Sequence, residues 1–445
     1  MDKYKKNNKK NVSGWGLYPT FKTEVIEPKS LKELINCLTH NSVITRGNGR
    51  SYGDCAVNKR NTISMKSLNR ILSFNSQTGE LIAEAGLLIC DIIKIFLSRG
   101  WFLNVVPGSK YVTLGGAASA DVHGKNHHKN SSFYGCINWL EILNNKGKLI
   151  KCSSYENSEL FDWTIGGMGL TGTIYKISIN LKKISTGWIN QKILLGNNID
   201  ETINIFEKNF SAEYSVAWLD FSRSTSKKLK SIVMLGEHAH TNQIPKNLIR
   251  FPSLKKPRKL GFLLIFFSYF LNNLFISIFN FFYFYFNKLS KKKIVSVDNF
   301  FFPLDSIEDW NKIYGKDGFF QFQCIFSLKN SSKGLNCIRD KIQNSKLIPT
   351  LAVLKRMGKG RGYFSFPIEG YTLTLDFPRN LKTLKLVQDL EKIVIKYSGN
   401  VYLAKDSTLT EVRFKKLKSN LRAFTNFKKK KRFNFSSVMS DRLKI

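Results

Sequence analysis

Two glycine-rich segments about 60 residues apart constrain this chain more than any other feature. The first reads RGNGRSYGD and spans residues 46–54, and the second runs from PGSKYVTLGG to DVHGKNHH over residues 107–128. Glycines such as Gly47 and Gly49 permit positive φ and let several backbone N–H groups point at one anion. The spacing and composition therefore predict two phosphate-binding turns that act together.

The side chains around these glycines suit a diphosphate. Arg46, Arg50 and Ser51 supply charged and hydroxyl donors in the first segment, and Thr113 supplies a hydroxyl in the second. A plain glycine-rich turn without a ligand is the alternative interpretation of the first segment. The pairing of the two segments favours the phosphate hypothesis.

A third segment, Gly167–Gly172, matches the pattern GxGxxG letter for letter. A dinucleotide site of that type follows a strand and opens a helix. Here TIYKISINL follows, which is β-branched and alternating and predicts a strand over Thr173–Leu181. We therefore reject a nicotinamide site. Two phosphate turns without that fold indicate a flavoprotein in which FAD lies between two α+β subdomains.

The remaining pattern predicts mixed helices and strands, with a second α+β domain from about 182 to 399. Ser30 is a plausible N-cap for a helix. The predicted helices are Ser30–Leu38 and Ile89–Leu97, which stops at Gly100; the predicted strands include Ser42–Thr45, Leu81–Ala85, Ser215–Leu219, Gln321–Phe326 and Tyr371–Phe377. The segment from about 400 opens with the strand-like VYLAK and ends in a basic tail.

The charge and the cysteines limit the classes of partner. A net charge of +38 suits nucleic acid, an anionic membrane surface or phosphorylated substrates, although an A/T-rich genome also enriches lysine. The seven cysteines are scattered without a CxxC pair, so neither a disulfide framework nor a zinc site is expected, and a cytosolic compartment fits. No apolar signal segment is present at the N-terminus, and residues 1–13 are predicted to be a mobile basic arm.

The histidines of HGKNHH suggest a metal site at first sight, because His123 and His127 have i,i+4 spacing. Gly124 and Asn126 make a helix through both improbable, and no carboxylate pair accompanies them. No metal is therefore expected.

Residues 261–286 carry no charge and are dominated by Phe, Leu and Ile, between the lysine-rich runs KKPRK and NKLSKKK. Their length would span a bilayer as one helix. Asn272, Asn273 and Asn280 interrupt the segment, however, and aromatic residues run through its middle. An interfacial hairpin that binds lipid is the favoured interpretation; buried core helices and a true span stay open.

Eight motifs in order resemble one family. They are RGNGRSYGD, PGSKYVTLGGAASADVHGKNHH, ELFDWTIGGMGLTGTI, YSVAWLD, FFPLDSIEDWNKIYG, SFPIEGYTLTLDFP, VYLAKDS and SDRLKI. Together they are similar to the decaprenylphosphoryl-β-D-ribose oxidase family, the flavin subunit of the epimerase that makes the arabinosyl donor used in cell-wall biosynthesis. The resemblance runs from Gly14 to the C-terminus and is weak only around 240–295 and 412–435.

The resemblance implies an α+β fold of the vanillyl-alcohol-oxidase (PCMH) type. In it a two-subdomain FAD-binding domain is joined to an α+β substrate domain built on an antiparallel sheet. The implied boundaries are 14–183 for the FAD domain, 184–399 for the substrate domain and 400–445 for a segment that completes the FAD domain. Many relatives attach the flavin to a histidine in the first glycine-rich loop. That loop lacks histidine here, so non-covalent FAD is expected.

Motif matching also implies which residues contact the cofactor and the substrate. The FAD-binding residues would be Thr45, Arg46, Gly47, Asn48, Gly49, Arg50, Ser51, Tyr52, Gly53, Asp54, Cys55, Gly108, Thr113, Leu114, Gly115, Gly116, Ala120, Asp121, Val122, His123, Ile174 and Tyr402. Lys405, Tyr52 and His123 would be catalytic, and Gln321, Gln323, Lys355, Thr374 and Lys405 would bind substrate. Some family members carry a cysteine at the position of Thr374, where covalent inhibitors attack.

The implied reaction is oxidation of the C2 hydroxyl of a ribose that is joined through phosphate to a polyprenyl chain. A separate NAD(P)H-dependent short-chain reductase would then reduce the keto product. The lipid substrate implies peripheral association with the inner face of the cytoplasmic membrane, and no nucleic acid partner. Two alternatives stay open: a flavin oxidase of a soluble sugar, alditol or aldonolactone, and a basic binding protein without catalysis.

Overall fold

The computed structural model of the chain describes residues 9–38, 42–225, 228–268, 270–289 and 291–445. Within these residues the strands form three sheets, of four, six and eight strands. The two smaller sheets come from the N-terminal part of the chain, and the largest comes from the middle. Most strand pairs are antiparallel and helices flank the sheets, which confirms the predicted α+β class.

The first sheet has the strand order β1-β2-β4-β3 and mixes parallel and antiparallel pairs. Its elements are β1 Lys9–Ser13, β2 Thr20–Ile26, α1 Leu31–Leu38, β3 Val43–Arg46 and β4 Asn61–Ser64. The predicted mobile arm over 1–13 is wrong for Lys9–Ser13, because these residues pair with β2. Residues 1–8 of that arm lie outside the described residues.

The second sheet has the strand order β5-β6-β10-β8-β9, and β7 also pairs with β10. Its elements are β5 Ile71–Phe74, β6 Glu80–Glu84, α2 Ile89–Phe96, β7 Trp101–Leu103, α3 Leu114–Ser119, α4 His127–Asn130, β8 Ile137–Leu143, β9 Leu149–Ser153, α5 Ser158–Thr164 and β10 Thr173–Lys183. Strand β10 begins directly after Gly172, which confirms that the GxGxxG segment leads into a strand. Gly100 closes the turn after α2 with φ +78°, as predicted.

The third sheet is antiparallel throughout, in the order β14-β11-β13-β12-β16-β17-β15-β18. Its elements begin with β11 Trp188–Gly196, α6 Ile199–Lys208, β12 Tyr214–Thr225, β13 Lys228–His238, α7 Phe262–Ser268, α8 Asn273–Leu289, β14 Lys292–Ser296 and α9 Val297–Phe301. They continue with β15 Phe319–Ser327, α10 Leu328–Ser345, β16 Leu351–Met357, β17 Gly370–Pro378, α11 Leu381–Lys396 and β18 Asn400–Val401.

The two faces of this sheet have different neighbours. Helices α6, α10 and α11 cover one face, where Phe206 packs against Tyr371 and Gly334 against Phe326. Helix α8 lies against β11 and β12 on the other face. That second face also meets the glycine-rich loops of the N-terminal sheets, and it carries the candidate site.

After β18 the chain returns to the first sheet through three helices, α12 Glu411–Leu417, α13 Leu421–Lys431 and α14 Val438–Leu443. Phe435 forms a parallel bridge with Val43, and the N–H of Val438 donates to the carbonyl of Val57 at 2.8 Å. The C-terminal segment thus packs on the N-terminal part of the chain. The predicted domain boundaries at 183 and 399 stay predictions; β18, which follows the second boundary, still pairs with β15 of the third sheet.

Candidate active site

The two glycine-rich segments lie against each other. A Cβ atom on Gly47 would collide with Oγ1 of Thr113, and the side chain of Asn48 donates to the carbonyl of Tyr111 at 3.0 Å. Gly49 has φ +65°, a conformation that glycine adopts without strain. Thr113 accepts from the N–H of Gly116 and so caps α3. The close approach requires glycine at 47, because any side chain there would separate the two turns.

The cradle formed by these turns fits an anionic cofactor. Arg50 Nε is buried, and within the described part of the chain it has no hydrogen-bond partner. The guanidinium lies 3.8 Å from the centroid of the Trp15 ring, and burial lowers its pKa. An arginine side chain nevertheless stays charged at neutral pH. A partly buried cation with an unused donor beside glycine-rich turns is the arrangement that a diphosphate would complete.

Two charged residues of the first loop are turned inward. Arg46 donates to the carbonyl of Ser13 at 2.7 Å. Asp54 accepts two hydrogen bonds from Arg442, at 2.7 and 3.0 Å, and Arg442 Nη2 also forms an ion pair with Asp406 Oδ2 at 3.0 Å. Arg46 and Asp54 therefore hold the loop in shape and join it to the C-terminal helix α14.

The other candidate cofactor residues lie in the two glycine-rich segments and in the strands and turns next to them, apart from Tyr402, which contacts the second segment. Asp121 accepts from the N–H of Tyr134 at 3.0 Å, and burial raises its pKa to about 6. The Tyr402 hydroxyl donates to the carbonyl of Ala120 at 2.7 Å. Burial also raises the pKa of Cys55 to about 11. The remaining positions lie in β3, in the 47–55 loop, in or just before α3, in the turn after it and in β10; they are Thr45, Ser51, Tyr52, Gly53, Gly108, Leu114, Gly115, Val122 and Ile174.

The predicted substrate residues share one face of the third sheet. Gln321 pairs in register with Asp376, Gln323 with Thr374, and Lys355 with Thr372. Because side chains alternate along a strand, all six point to the same face. The register thus brings together four predicted substrate residues from three strands, of which the strand that carries Lys355 was not predicted: Gln321, Gln323, Lys355 and Thr374.

His123 meets this face from the second glycine-rich segment. Its Nε2 lies 2.8 Å from the amide nitrogen of Gln323, and its Nδ1 lies 3.5 Å from Lys355 Nζ. Burial, together with the nearby positive charge of Lys355, holds the pKa of His123 well below its usual range. Burial lowers the pKa of Lys355 to about 8. The imidazole is therefore a neutral hydrogen-bonding group at physiological pH.

Lys405 and Tyr52 lie against each other, and Lys405 is close enough to Asp376 of β17 to feel its charge. Lys405 Nζ lies 3.6 Å from the centroid of the Tyr52 ring, and the N–H of Tyr52 donates to the carbonyl of Ala404 at 2.8 Å. Burial lowers the pKa of Lys405 to about 7, against the opposing charge of Asp376. A lysine in this state can donate or accept a proton near neutral pH.

Asp376 is the site residue that the sequence did not reveal. Its side chain is fully buried, and Oδ1 accepts from the amide of Gln321 at 2.6 Å. Oδ2 has no hydrogen-bond partner among the residues that the structure covers. Burial raises the pKa of Asp376 to about 7. Its place two residues after Thr374 in one strand was the available signal, because that spacing puts both side chains on one face.

Comparisons with known proteins agree with this geometry. A family model described as FAD binding domain matches residues 23–153. The decaprenylphosphoryl-beta-D-ribose oxidase of Mycolicibacterium smegmatis is 31% identical over 417 residues, which cover 91% of this chain and 90% of that protein. The chain belongs to the decaprenylphosphoryl-β-D-ribose oxidase family. Membership confirms the predicted family, the PCMH-type fold, FAD as the cofactor and the assignment as an FAD-dependent oxidoreductase.

Relatives outside this family match less of the chain. The D-arabinono-1,4-lactone oxidase of Kluyveromyces lactis is 26% identical over 37% of this chain and 33% of its own length. The L-gulonolactone oxidase of Bos taurus is 25% identical over 34% of this chain and 36% of its own. Placement in the decaprenylphosphoryl-β-D-ribose oxidase family therefore rests on the longer match. Because members of this family are oxidoreductases, the alternative of a basic binding protein without catalysis is wrong.

The apolar segment of this family member forms the helices α7 and α8. Leu274, Phe279, Phe282 and Phe286 are each more than half exposed on α8. No helix among the described residues is long and apolar enough to cross a membrane. A helical pair with an exposed apolar face is what the interfacial hypothesis predicted; the binding of that face to lipid stays a prediction.

Proposed function

We propose that this protein oxidises the C2 hydroxyl of polyprenyl-phosphoryl-β-D-ribose to the 2-keto compound, with FAD as the cofactor. The match to the Mycolicibacterium smegmatis enzyme carries this proposal. Because the alignment with that enzyme leaves out only about a tenth of this chain, it must include most of the third sheet. The polar face of β15, β16 and β17 supports the same function, since it offers donors and acceptors for a sugar.

FAD would be held by the cradle of the two glycine-rich turns. Arg50 and the backbone N–H groups around Gly47 and Gly49 would bind its diphosphate. When bound, FAD supplies the two-electron acceptor that takes the hydride from the sugar carbon. The first loop contains no histidine for covalent attachment, which supports non-covalent binding.

The chain's own residues would manage the proton of the C2 hydroxyl. Asp376 offers Oδ2, the free oxygen of a buried carboxylate, as the acceptor. Gln321 fixes the other oxygen at 2.6 Å and so sets the orientation of the carboxylate. Lys405 would donate to the sugar oxygen as an ammonium. A base whose pKa lies near 7 combines a deprotonated population with the strength to accept a proton.

His123 and Gln323 would orient the ribose. Gln323 donates to Thr372 Oγ1 at 3.0 Å and also contacts His123, so neither side chain turns freely. Their neutral groups can bond sugar hydroxyls without competing for the proton. Lys355 adds a positive charge on the same face, which suits a phosphate ester. Tyr52 would support Lys405 through its ring face.

A direct test is anaerobic mixing of the purified yellow protein with polyprenyl-phosphoryl-ribose. We expect loss of the oxidised flavin absorbance and a product that is lighter by two hydrogens. Free alditols and aldonolactones, the substrates of the alternative function, should bleach the flavin poorly. Bleaching by those compounds alone would contradict the proposal. It would favour a soluble-sugar oxidase, the alternative that the similarity to the two lactone oxidases supports.

We also propose that the protein binds the inner face of the cytoplasmic membrane and passes its product to an NAD(P)H-dependent reductase. The exposed apolar side chains of α8 and the exposed lysines near it support membrane binding, because such a helix binds anionic lipid at the interface. Co-sedimentation with anionic vesicles, compared with neutral ones, tests this. Equal binding to the two kinds of vesicle, or no binding to either, would contradict membrane binding of this kind.

A further inference from the structure

One row of side chains crosses the third sheet from the sugar site to helix α8. Gln323 pairs with Thr374, Thr374 with Val353, and Val353 with Trp218. Residues paired in this way stand side by side on one face, so the row is continuous over three strand spacings, or roughly 14 Å. It changes from polar at Gln323 to apolar at Val353 and Trp218.

The middle of this row is open. Thr374 and Val353 are partly exposed, although β16 and β17 lie in the centre of an eight-stranded sheet. On the opposite face the neighbouring Leu354 and Leu373 are fully buried. The N-terminal loops cover one end of the row and α8 covers the other. The strip between them, called the cleft below, is therefore partly open to solvent and adjoins the sugar site.

Helix α8 extends the apolar end of the row to the surface. The Tyr283 ring lies 4.9 Å from the Trp218 ring, and the Phe279 ring stacks on Tyr283 at 6.0 Å. Trp218 is buried and Phe279 is 54% exposed. Asn280, on the same helix, donates to Asp220 of β12 at 2.9 Å and fixes α8 against the sheet. Three aromatic rings thus connect the cleft to the exposed apolar face.

We propose that this path binds the isoprenoid tail of the substrate, which would lie over Val353 and leave along Trp218, Tyr283 and Phe279. The inference rests on the proposed function, since it assumes a lipid-linked sugar in the polar site. Aromatic faces and β-branched side chains suit a chain of methyl-branched alkene units, which gains affinity in proportion to the apolar area it buries. The path gives α8 a role in substrate selection that is separate from membrane binding.

The test compares substrates that share phosphoryl-ribose and differ in the tail. Detergent solution is used, so that vesicle binding plays no part. We expect the wild-type protein to show a kcat/KM for farnesyl-phosphoryl-ribose at least tenfold above that for methyl-phosphoryl-ribose, which corresponds to about 1.4 kcal/mol. In Tyr283→Asn that ratio should fall about tenfold through KM. Leu381→Asn, a change at an exposed apolar residue on α11, should keep the wild-type ratio.

Binding without turnover gives a second readout. Farnesyl phosphate should bind the wild-type holoenzyme measurably in calorimetry, and Tyr283→Asn with normal flavin content should bind it about tenfold more weakly. Should Tyr283→Asn fail to fold, Val353→Asn provides the same comparison. A wild-type ratio near one, or equal binding by variant and wild type, would overturn the tail path and leave the ribose oxidation intact. Failure of every phosphoryl-ribose to reduce the flavin would instead overturn the proposed function.

Discussion

Replacing Asp376 with asparagine should remove the proton acceptor and leave the rest of the site in place. Asparagine has the same shape, and its oxygen can still accept from Gln321, which lies 2.6 Å from Oδ1. General-base catalysis contributes about 10² to 10⁴ in rate, or roughly 3–5 kcal/mol of barrier. We therefore expect the rate of anaerobic flavin reduction to fall by about that factor, as measured by stopped-flow absorbance with saturating substrate.

The pH profile identifies the cause of the loss. The pKa of Asp376 is about 7, so the wild-type rate should rise with pH up to neutrality, by nearly tenfold per pH unit well below that pKa. The rate should fall again where Lys405, whose pKa is also about 7, loses its proton. In Asp376→Asn the acidic limb should disappear. The alkaline limb should move to lower pH, because the carboxylate no longer raises the pKa of Lys405.

Stability provides the control. Burial raises the pKa of Asp376 above its unfolded value, so its carboxylate costs stability as pH rises from about 4 through 7. Asp376→Asn should therefore match or exceed the wild-type Tm at pH 8. Glu391, another buried carboxylate whose pKa is about 7, lies on α11 outside the site. Glu391→Gln should change Tm and keep the wild-type pH profile. A wild-type rate and profile in Asp376→Asn would refute the assignment.

Three further predictions concern the cofactor cradle. Arg442→Ala leaves the buried carboxylates of Asp54 and Asp406 without their cation, so the free energy of unfolding should fall by about 3–5 kcal/mol in denaturant titration, and an unchanged value would contradict the bracing role. Gly47→Ala places a methyl group against Thr113, so FAD should bind at least about tenfold more weakly in fluorescence titration, whereas equal affinity would show that the two turns can separate. Acid precipitation should release all of the flavin into solution, and flavin fluorescence that stays with the denatured protein would disprove non-covalent binding.

Much of the cofactor site could be predicted from local sequence. The glycine turns at 46–54 and 107–128 carry their conformational requirement in their own residues, and the β-branched run after Gly172 is sufficient to reject a helix there. The helices and strands that were predicted, such as α1 and β10, could be predicted for the same reason. Their periodicity is a property of neighbouring residues.

Features that depend on distant parts of the chain could not be predicted. The inward turn of Asp54 requires Arg442, which lies 388 residues away. The burial of Asp376 depends on the register of three strands and on the loop that covers them. Lys9–Ser13 looked like a free basic arm because a strand edge of lysine and asparagine has no apolar pattern, and only the pairing with β2 makes it a strand.

The central claim is that hydride leaves C2 of a lipid-linked ribose. Anaerobic single-turnover reduction with polyprenyl-phosphoryl-ribose that carries deuterium at C2 tests it most directly. The account predicts that the flavin bleaches severalfold more slowly than with the protium substrate, and that deuterium at C3 has no such effect. Two results would contradict it. In the first, the C2-deuterated substrate bleaches the flavin as fast as the protium substrate and the C3-deuterated one bleaches it more slowly. In the second, neither substrate bleaches the flavin.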